Sequence, residues 1–177
     1  MSVDPKNVKT TLGKHILADG FDPVMDMEKS HGSWLIDERD GSKYLDMFSM
    51  FASGAVGYNH SDILAQRDRL AISPQNKPTL SDIYSTHYAD FLKTFNQIAI
   101  PKYLQNAFFI EGGSLAVENA LKTAFDWKIR KNLENGVKDK GSQVIHFKQA
   151  FHGRSGYSLS LTNTTDPRKT MYFPKFD

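Results

Sequence analysis

The chain has 177 residues, no cysteine, a formal net charge of +2 and 40% hydrophobic residues, a composition that suits a soluble globular chain of one or two units. Without cysteine there is neither a disulfide framework nor a thiolate metal site. No apolar run approaches the roughly 18 residues of a membrane span, and no signal-peptide core appears near the start. The pI near 8.7 comes from Lys and Arg interleaved with Asp and Glu, so no basic block marks a nucleic-acid surface; the expectation is a cytoplasmic protein with no nucleic-acid or membrane partner.

In chain order, SWLIDERDGSKYLDMF (33–48) places two short apolar runs around Asp40-Gly41, the dipeptide that readily supplies positive φ at a hairpin turn, and predicts a β-hairpin. The following MFASGAVGYNHSD holds Gly54 and Gly57 and reads as a loop that something approaches closely. Asn59 to Asp62 offer capping chemistry for a short helix in ILAQRDRLAI (63–72), which Pro74, Asn76 and Pro78 should end. Ser81-Asp82 then introduces an amphipathic helix over 82–100, with Ile83, Tyr84, His87, Tyr88, Phe91, Leu92 and Phe95 at helical spacing, ending before Pro101.

NAFFI (106–110) reads as a buried strand, EGGS (111–114) as a tight turn, and LAVENALKTAFDWKIRK (115–131) as a helix with Glu118 and Lys122 as an i,i+4 pair. QVIHFK (143–148) is a second β-rich run, so the unit predicts a parallel pair joined by a right-handed crossover. A chain reaching MYFPKFD without a closing element is expected to be the first part of a longer fold, because a sheet of two or three strands buries its faces poorly.

In open α/β sheets ligands sit beyond the carboxyl ends of the strands, and two glycine-containing segments lie there. Gly112, Gly113 and Ser114 precede a helix whose first N–H groups and dipole favour an anion such as phosphate. No Gly-Lys-Ser/Thr and no Gly-x-Gly-x-x-Gly accompanies them, and a purely structural tight turn is the alternative. Phe151-His152-Gly153-Arg154 offers an aromatic for stacking on a flat heterocycle and a guanidinium for a carboxylate; a core Phe and a solvated Arg are the bland alternatives. His60 and His152 could be general bases or structural residues. His15, His31, His87 and His146 show no metal-ligand spacing, and no metal is expected.

EGGSLAVENALKTAFDWK followed by AFHGRSGYSLSLTNT, with DGSKYLDMFSMFAS and NKP upstream, resembles the class III pyridoxal-phosphate-dependent aminotransferases, most closely the branch of L-lysine 6-aminotransferases. The resemblance extends over nearly the whole chain; Gly112 and Leu115 depart from the general family pattern but suit that branch. It implies the type I fold of these enzymes, α/β in class and incomplete here. Residues 1–57 would form a small-domain segment and linker with the hairpin, and 58–177 the first part of the large cofactor domain.

By the same resemblance, Gly113 and Ser114 would hold the phosphate of pyridoxal 5′-phosphate. Phe151 would stack on its ring with His152 alongside, and Arg154 would bind the carboxylate of L-lysine or 2-oxoglutarate. The implied products are 2-aminoadipate 6-semialdehyde and glutamate, made by a homodimer with active sites at its interface. The Schiff-base lysine and the aspartate for the pyridine nitrogen are expected beyond Asp177, so no catalytic residue is assigned within the chain, which alone should be inactive. The alternatives are an aminotransferase for ornithine or 4-aminobutyrate, and a non-catalytic phosphate-binding fragment. The glycine-rich loop near Ser53 and the stretch Asn76 to Pro78 are expected at an interface or substrate pocket, with an ordinary surface loop as the alternative.

Overall fold

The computed structural model describes residues 2–77 and 81–175 and divides the chain into two compact units, Met1–Lys77 and Pro78–Asp177. In the first, a 3-10 turn (Pro5–Asn7) capped by the Asp4 carboxylate runs into helix α1 (Val8–Gly13). Strands β1 (Trp34–Ile36) and β2 (Lys43–Leu45) form the predicted hairpin, pairing antiparallel with Trp34 opposite Leu45 and Ile36 opposite Lys43.

The turn of the hairpin differs from expectation. It is not a two-residue turn: the ladder closes with the Asp37 N–H donating to the Ser42 carbonyl at 2.8 Å, and only Gly41, at φ 79°, has positive φ. The longer loop forms because the buried Asp37 carboxylate organises it, accepting the Arg39 backbone N–H at 3.0 Å and the guanidinium at 2.9 Å from Nε and 2.6 Å from Nη2. Arg39 also reaches Asp22 at 2.6 Å, and Lys9 of α1 reaches the same Asp22 at 3.4 Å. These hydrogen bonds from Arg39 outweigh the effect of burial and lower the pKa of Asp37 to about 2.

Behind the hairpin, the fully buried Ser30 hydroxyl donates to the Asp26 carbonyl (2.6 Å) and accepts the Ile36 N–H (3.0 Å). Asp46 accepts the N–H groups of Phe48 and Ser49 and the Tyr58 hydroxyl, the last at 2.6 Å. That hydroxyl–carboxylate bond pushes the Tyr58 pKa up to about 12. Gly57 is obligatory: a β-carbon there would overlap the Gly32 carbonyl, and Gly32 and Tyr58 exchange two backbone hydrogen bonds. The close approach expected of this loop is thus made by the chain's own backbone.

The loop also contains a four-residue turn, α2 (Ser49–Ala52), which is left-handed, with φ of 49°, 48°, 58° and 62°, a conformation costing L-residues on the order of 1–2 kcal/mol each. Helix α3 (Ser61–Leu64) is capped by the His60 ring, which accepts the Asp62 N–H at 3.3 Å. Helix α4 (Arg67–Asn76) continues through Pro74, contrary to expectation, and ends where Lys77 turns left-handed at φ 42°. Pro74 removes one helical N–H, yet the helix runs two residues beyond it. Of the Asn76 to Pro78 stretch, Pro78 lies outside the described residues.

In the second unit, α5 (Thr86–Ile98) starts later than the sequence suggests: Ser85, not Ser81, is the cap, its hydroxyl accepting the Tyr88 N–H at 3.2 Å. Phe91 and Phe95 stack at 5.6 Å between centroids, and Phe109 meets Tyr88, Phe91 and Phe95 edge-on at 6.2, 5.3 and 5.7 Å. Helix α6 (Gly113–Glu134) spans 22 residues, with Asp126 and Arg130 paired at 2.8 Å, and ends where Gly136 adopts φ 73°. Helix α7 (Gly156–Leu161) was not foreseen; Tyr-Ser-Leu-Ser-Leu alternates like a strand, but its N-terminus is satisfied by a side chain from α6.

The two predicted parallel strands do not pair. Among the described residues the sheet consists of β1 and β2 alone, and segments 106–110 and 143–148 carry no ladder. The hydrogen-bonding partners a β-rich run needs are not among their neighbours, so Phe108 is 71% exposed and Ile145 wholly so. The imbalance is general: the chain exposes 15053 Å², whereas even two independent globular units of 10 kDa would together expose roughly 10,500 Å². Only Ile36 and Leu159 are buried hydrophobic residues among those described.

Candidate functional site

Gly112, at φ 86°, sets the entry to α6 and caps it without a side-chain hydrogen bond. The first backbone bond of the helix runs from the Ala116 N–H to the Gly112 carbonyl at 3.1 Å, so the N–H groups of Gly113 and Ser114 precede the intrahelical ladder and are available to an acceptor. The Ser114 hydroxyl is already engaged. It lies 2.8 Å from both the Ser155 and Ser158 hydroxyls and accepts the Ser155 N–H at 3.2 Å.

One turn further along, on the same helical face, lies Glu118, the buried residue of α6. Its Oε1 accepts the Tyr157 N–H at 3.1 Å, and its Oε2 accepts the Ser158 N–H at 3.1 Å and the Ser155 hydroxyl at 3.0 Å. The carboxylate thus caps α7 from a different helix. Burial pushes its pKa up, but the two N–H donors and the hydroxyl prevail and the net shift is downward; Lys122, the expected partner, is the weakest contributor. The predicted Glu118–Lys122 pair is thus replaced by a contact about forty residues away in sequence.

The loop 151–155 is fastened at the other side by Thr162, which is fully buried. Its hydroxyl accepts the His152 N–H at 3.0 Å and directs its proton to the carbonyl of Gly153 (2.7 Å) or Ser158 (3.0 Å). Gly153 has φ 116°, and a β-carbon there would overlap the Ser114 hydroxyl and β-carbon. The loop therefore lies directly against the first turn of α6, and glycine is what permits it.

The result is a single cleft of about 650 Å³ whose lining includes Gly113, Ser114, Phe151, His152 and Arg154, all five of the sequence-predicted site residues, together with Val117 and Ser155. Phe151 and Arg154 are exposed, and Arg154 makes no ion pair among the described residues. A second cleft, of about 670 Å³, lies between α6, segment 142–146 and α7 and is lined by apolar groups such as Leu121, Phe125 and Ile145. Its lining also includes Ser142, Gln143, His146, Tyr157 and Ser160, but it lies away from the first turn of α6, whose free amides belong to the first cleft and suit an anion. In the first unit, Gly54 and Gly57 border a recess of about 300 Å³ with Asp46 and His60; His60 serves there as a helix cap.

Sequence reading missed Glu118, Ser155, Ser158 and Thr162. The available signals were Ser114 and Glu118 four apart, which lie on one face of α6, and Ser155 and Ser158 three apart at the N-cap and in the first turn of α7.

Residues 17–176 match the family model for aminotransferase class III. The chain belongs to this family. It is 48% identical over 180 residues to an L-lysine-epsilon aminotransferase of Amycolatopsis lactamdurans, an alignment spanning 98% of this chain and 39% of that protein. It is 34% identical over 174 residues to a 4-aminobutyrate aminotransferase of Mycosarcoma maydis, covering 87% of this chain and 33% of the relative. The structure superposes on a lysine aminotransferase from M. tuberculosis with a TM-score of 0.91 and 47% identity, covering 99% of this chain and 41% of the other. The chain thus spans about a third to two fifths of the length of these relatives, and its architecture is part of the type I fold of these pyridoxal-phosphate enzymes.

Proposed function

We propose that this class III aminotransferase chain forms the phosphate- and ring-facing walls of a pyridoxal 5′-phosphate site. The reaction we assign is transfer of the ε-amino group of L-lysine to 2-oxoglutarate, giving 2-aminoadipate 6-semialdehyde and glutamate. The observation that supports it is the single cleft in which the amides at the start of α6 face Phe151 and Arg154. The donors suit a phosphate: they precede the helical ladder, and the helix dipole adds to them. We assign Gly113 and Ser114 to the phosphate through their backbone, Phe151 with His152 to the ring, and Arg154 to a substrate carboxylate.

When bound, the cofactor supplies an electron sink. The chain's own part is to bind and orient: a substrate reacting at its ε-amino group carries its α-carboxylate far from the reacting nitrogen, and a planar bidentate cation is a suitable distant anchor. The kinship with lysine aminotransferases favours lysine over other ω-amines, and the exposed Arg154, which has no ion pair among the described residues, is consistent with that choice. Among the described residues no lysine lines the cleft, and we propose that the 177 residues alone do not turn over. We further assign residues 1–57 to the small-domain segment and linker, 58–177 to the large domain, and the working state to a cytoplasmic homodimer. The extensive exposed apolar surface supports association with further protein.

Amine preference at native length tests the reading: rates with L-lysine should exceed those with ornithine and 4-aminobutyrate, and equal or higher rates with 4-aminobutyrate would refute the lysine assignment. Arg154→Lys should raise KM for both L-lysine and 2-oxoglutarate with a smaller change in kcat. Borohydride reduction of the 177-residue chain with pyridoxal 5′-phosphate, followed by peptide mapping, should give no specific pyridoxyllysine.

A further inference from the structure

Two walls of the cleft come from segments about forty residues apart, and something must fix their spacing. The phosphate-facing wall is the first turn of α6; the ring-facing wall is the loop 151–155. Between the cleft and the second helix lies a closed knot of Ser114, Glu118, Ser155 and Ser158, in which Glu118 accepts from three donors, two of them backbone N–H groups of α7. The Ser114 hydroxyl is turned into this knot and pressed against Gly153. It is therefore a fastener of the loop, while the backbone N–H groups of Gly113 and Ser114 remain for an anion.

We infer that Glu118 is a positioning residue that sets the distance between the two walls by holding α7, and with it Phe151 to Ser155, against α6. The inference rests on the cofactor reading above for its functional consequence, but the fastening itself is independent of it. A carboxylate is needed because Oε1 and Oε2 together receive three donors and the site offers no position for a donor on residue 118. Glutamine would present an amide N–H₂ to at least one backbone N–H, leaving that donor buried without an acceptor.

The consequence separates ligands by how many walls they touch. Inorganic phosphate is small enough to be held by the α6 amides alone, whereas pyridoxal 5′-phosphate requires both walls. In the protein at native length, Glu118→Gln should weaken pyridoxal 5′-phosphate binding about tenfold while changing inorganic phosphate affinity, by calorimetry, less than about twofold. Amide exchange at Tyr157 and Ser158 should accelerate, and Glu118→Asp should restore part of both the affinity and the protection. Equal losses for the two ligands, or unchanged exchange at Tyr157 and Ser158, would overturn the inference. Should the wild-type protein fail to bind pyridoxal 5′-phosphate, the cofactor reading falls, and the exchange of residues 151–158 in the two variants still decides whether Glu118 holds the loop. If Glu118→Gln does not fold, Ser158→Ala provides the same comparison, because it loosens the knot without removing the carboxylate.

Discussion

The hairpin unit and the cleft unit are each fastened by a buried carboxylate working with serine hydroxyls, yet they are built differently. In the hairpin, Asp37 meets a cation, Arg39, two residues away, and Ser30 joins residues four and six positions distant. In the cleft, Glu118 meets backbone N–H groups and a hydroxyl 37 to 40 residues away, with no cation in hydrogen-bonding contact among the described residues. The first network shapes a loop; the second holds two segments together. A local network follows from neighbouring residues in the chain, whereas a distant one exists only after the chain has folded, so damage should spread further in the cleft.

The largest contrast is expected at glycine. Gly153→Ala combines φ 116° with overlap against Ser114 and should destabilise the cleft unit by about 3 kcal/mol or more. Gly41→Ala meets only its φ of 79° in open space and should cost about 1 kcal/mol. Chemical denaturation measures both, and similar losses would mean that the loop moves away from α6 without penalty.

A smaller difference separates the two hydroxyl hubs. Thr162→Val and Ser30→Ala should each cost about 1–2 kcal/mol, since each strands a buried backbone N–H. Their reach should differ: Ser30→Ala should deprotect the Ile36 amide and its immediate neighbours, whereas Thr162→Val should deprotect the whole run from His152 to Ser158. Site-resolved amide exchange distinguishes them.

The same contrast explains what was legible in the sequence. The hairpin and the helix of α6 follow from turn residues and helical spacing, features each encoded within a few positions, whereas the meeting of Gly113, Ser114, Phe151, His152 and Arg154 in one cleft was implied by the family resemblance, the strands expected to bring them together being absent among the described residues. Helix α7 was hidden because Tyr157 to Leu161 alternates with period two, and a cap supplied from another helix leaves no local mark. The unpaired runs 106–110 and 143–148 show the complementary limit: their composition is that of strands, but a strand is defined by its neighbours, and apolar character alone provides none. His60 carried the chemistry of a general base, and its position before Asp62 made it a cap.

The smallest expected effects concern acid and salt, and they separate the two carboxylates by the kind of partner each has. Asp37 has a folded pKa of about 2, below its ordinary 3.8, so its contribution is complete above the ordinary value and is lost as pH falls towards 2. Glu118 is also lowered, and by the same sign its contribution is present above the ordinary glutamate range and is lost as pH falls through the lowered value. The shift of Asp37 is the larger, because a guanidinium opposes protonation more strongly than neutral donors working against burial. Amide protection at Tyr157 and Ser158 should therefore fall before protection at Asp37 and Gly41 during acid titration. Added salt should act the other way. It screens the partly exposed Arg39 and its pairing with Asp22 and Asp37, but it has little purchase on hydrogen bonds from peptide N–H groups to a buried acceptor. Raising ionic strength at neutral pH should thus lower protection in the hairpin and leave the α7 amides unchanged; a loss of protection at Tyr157 and Ser158 under those conditions would mean that a cation such as Lys122, and not the backbone, holds Glu118 in place.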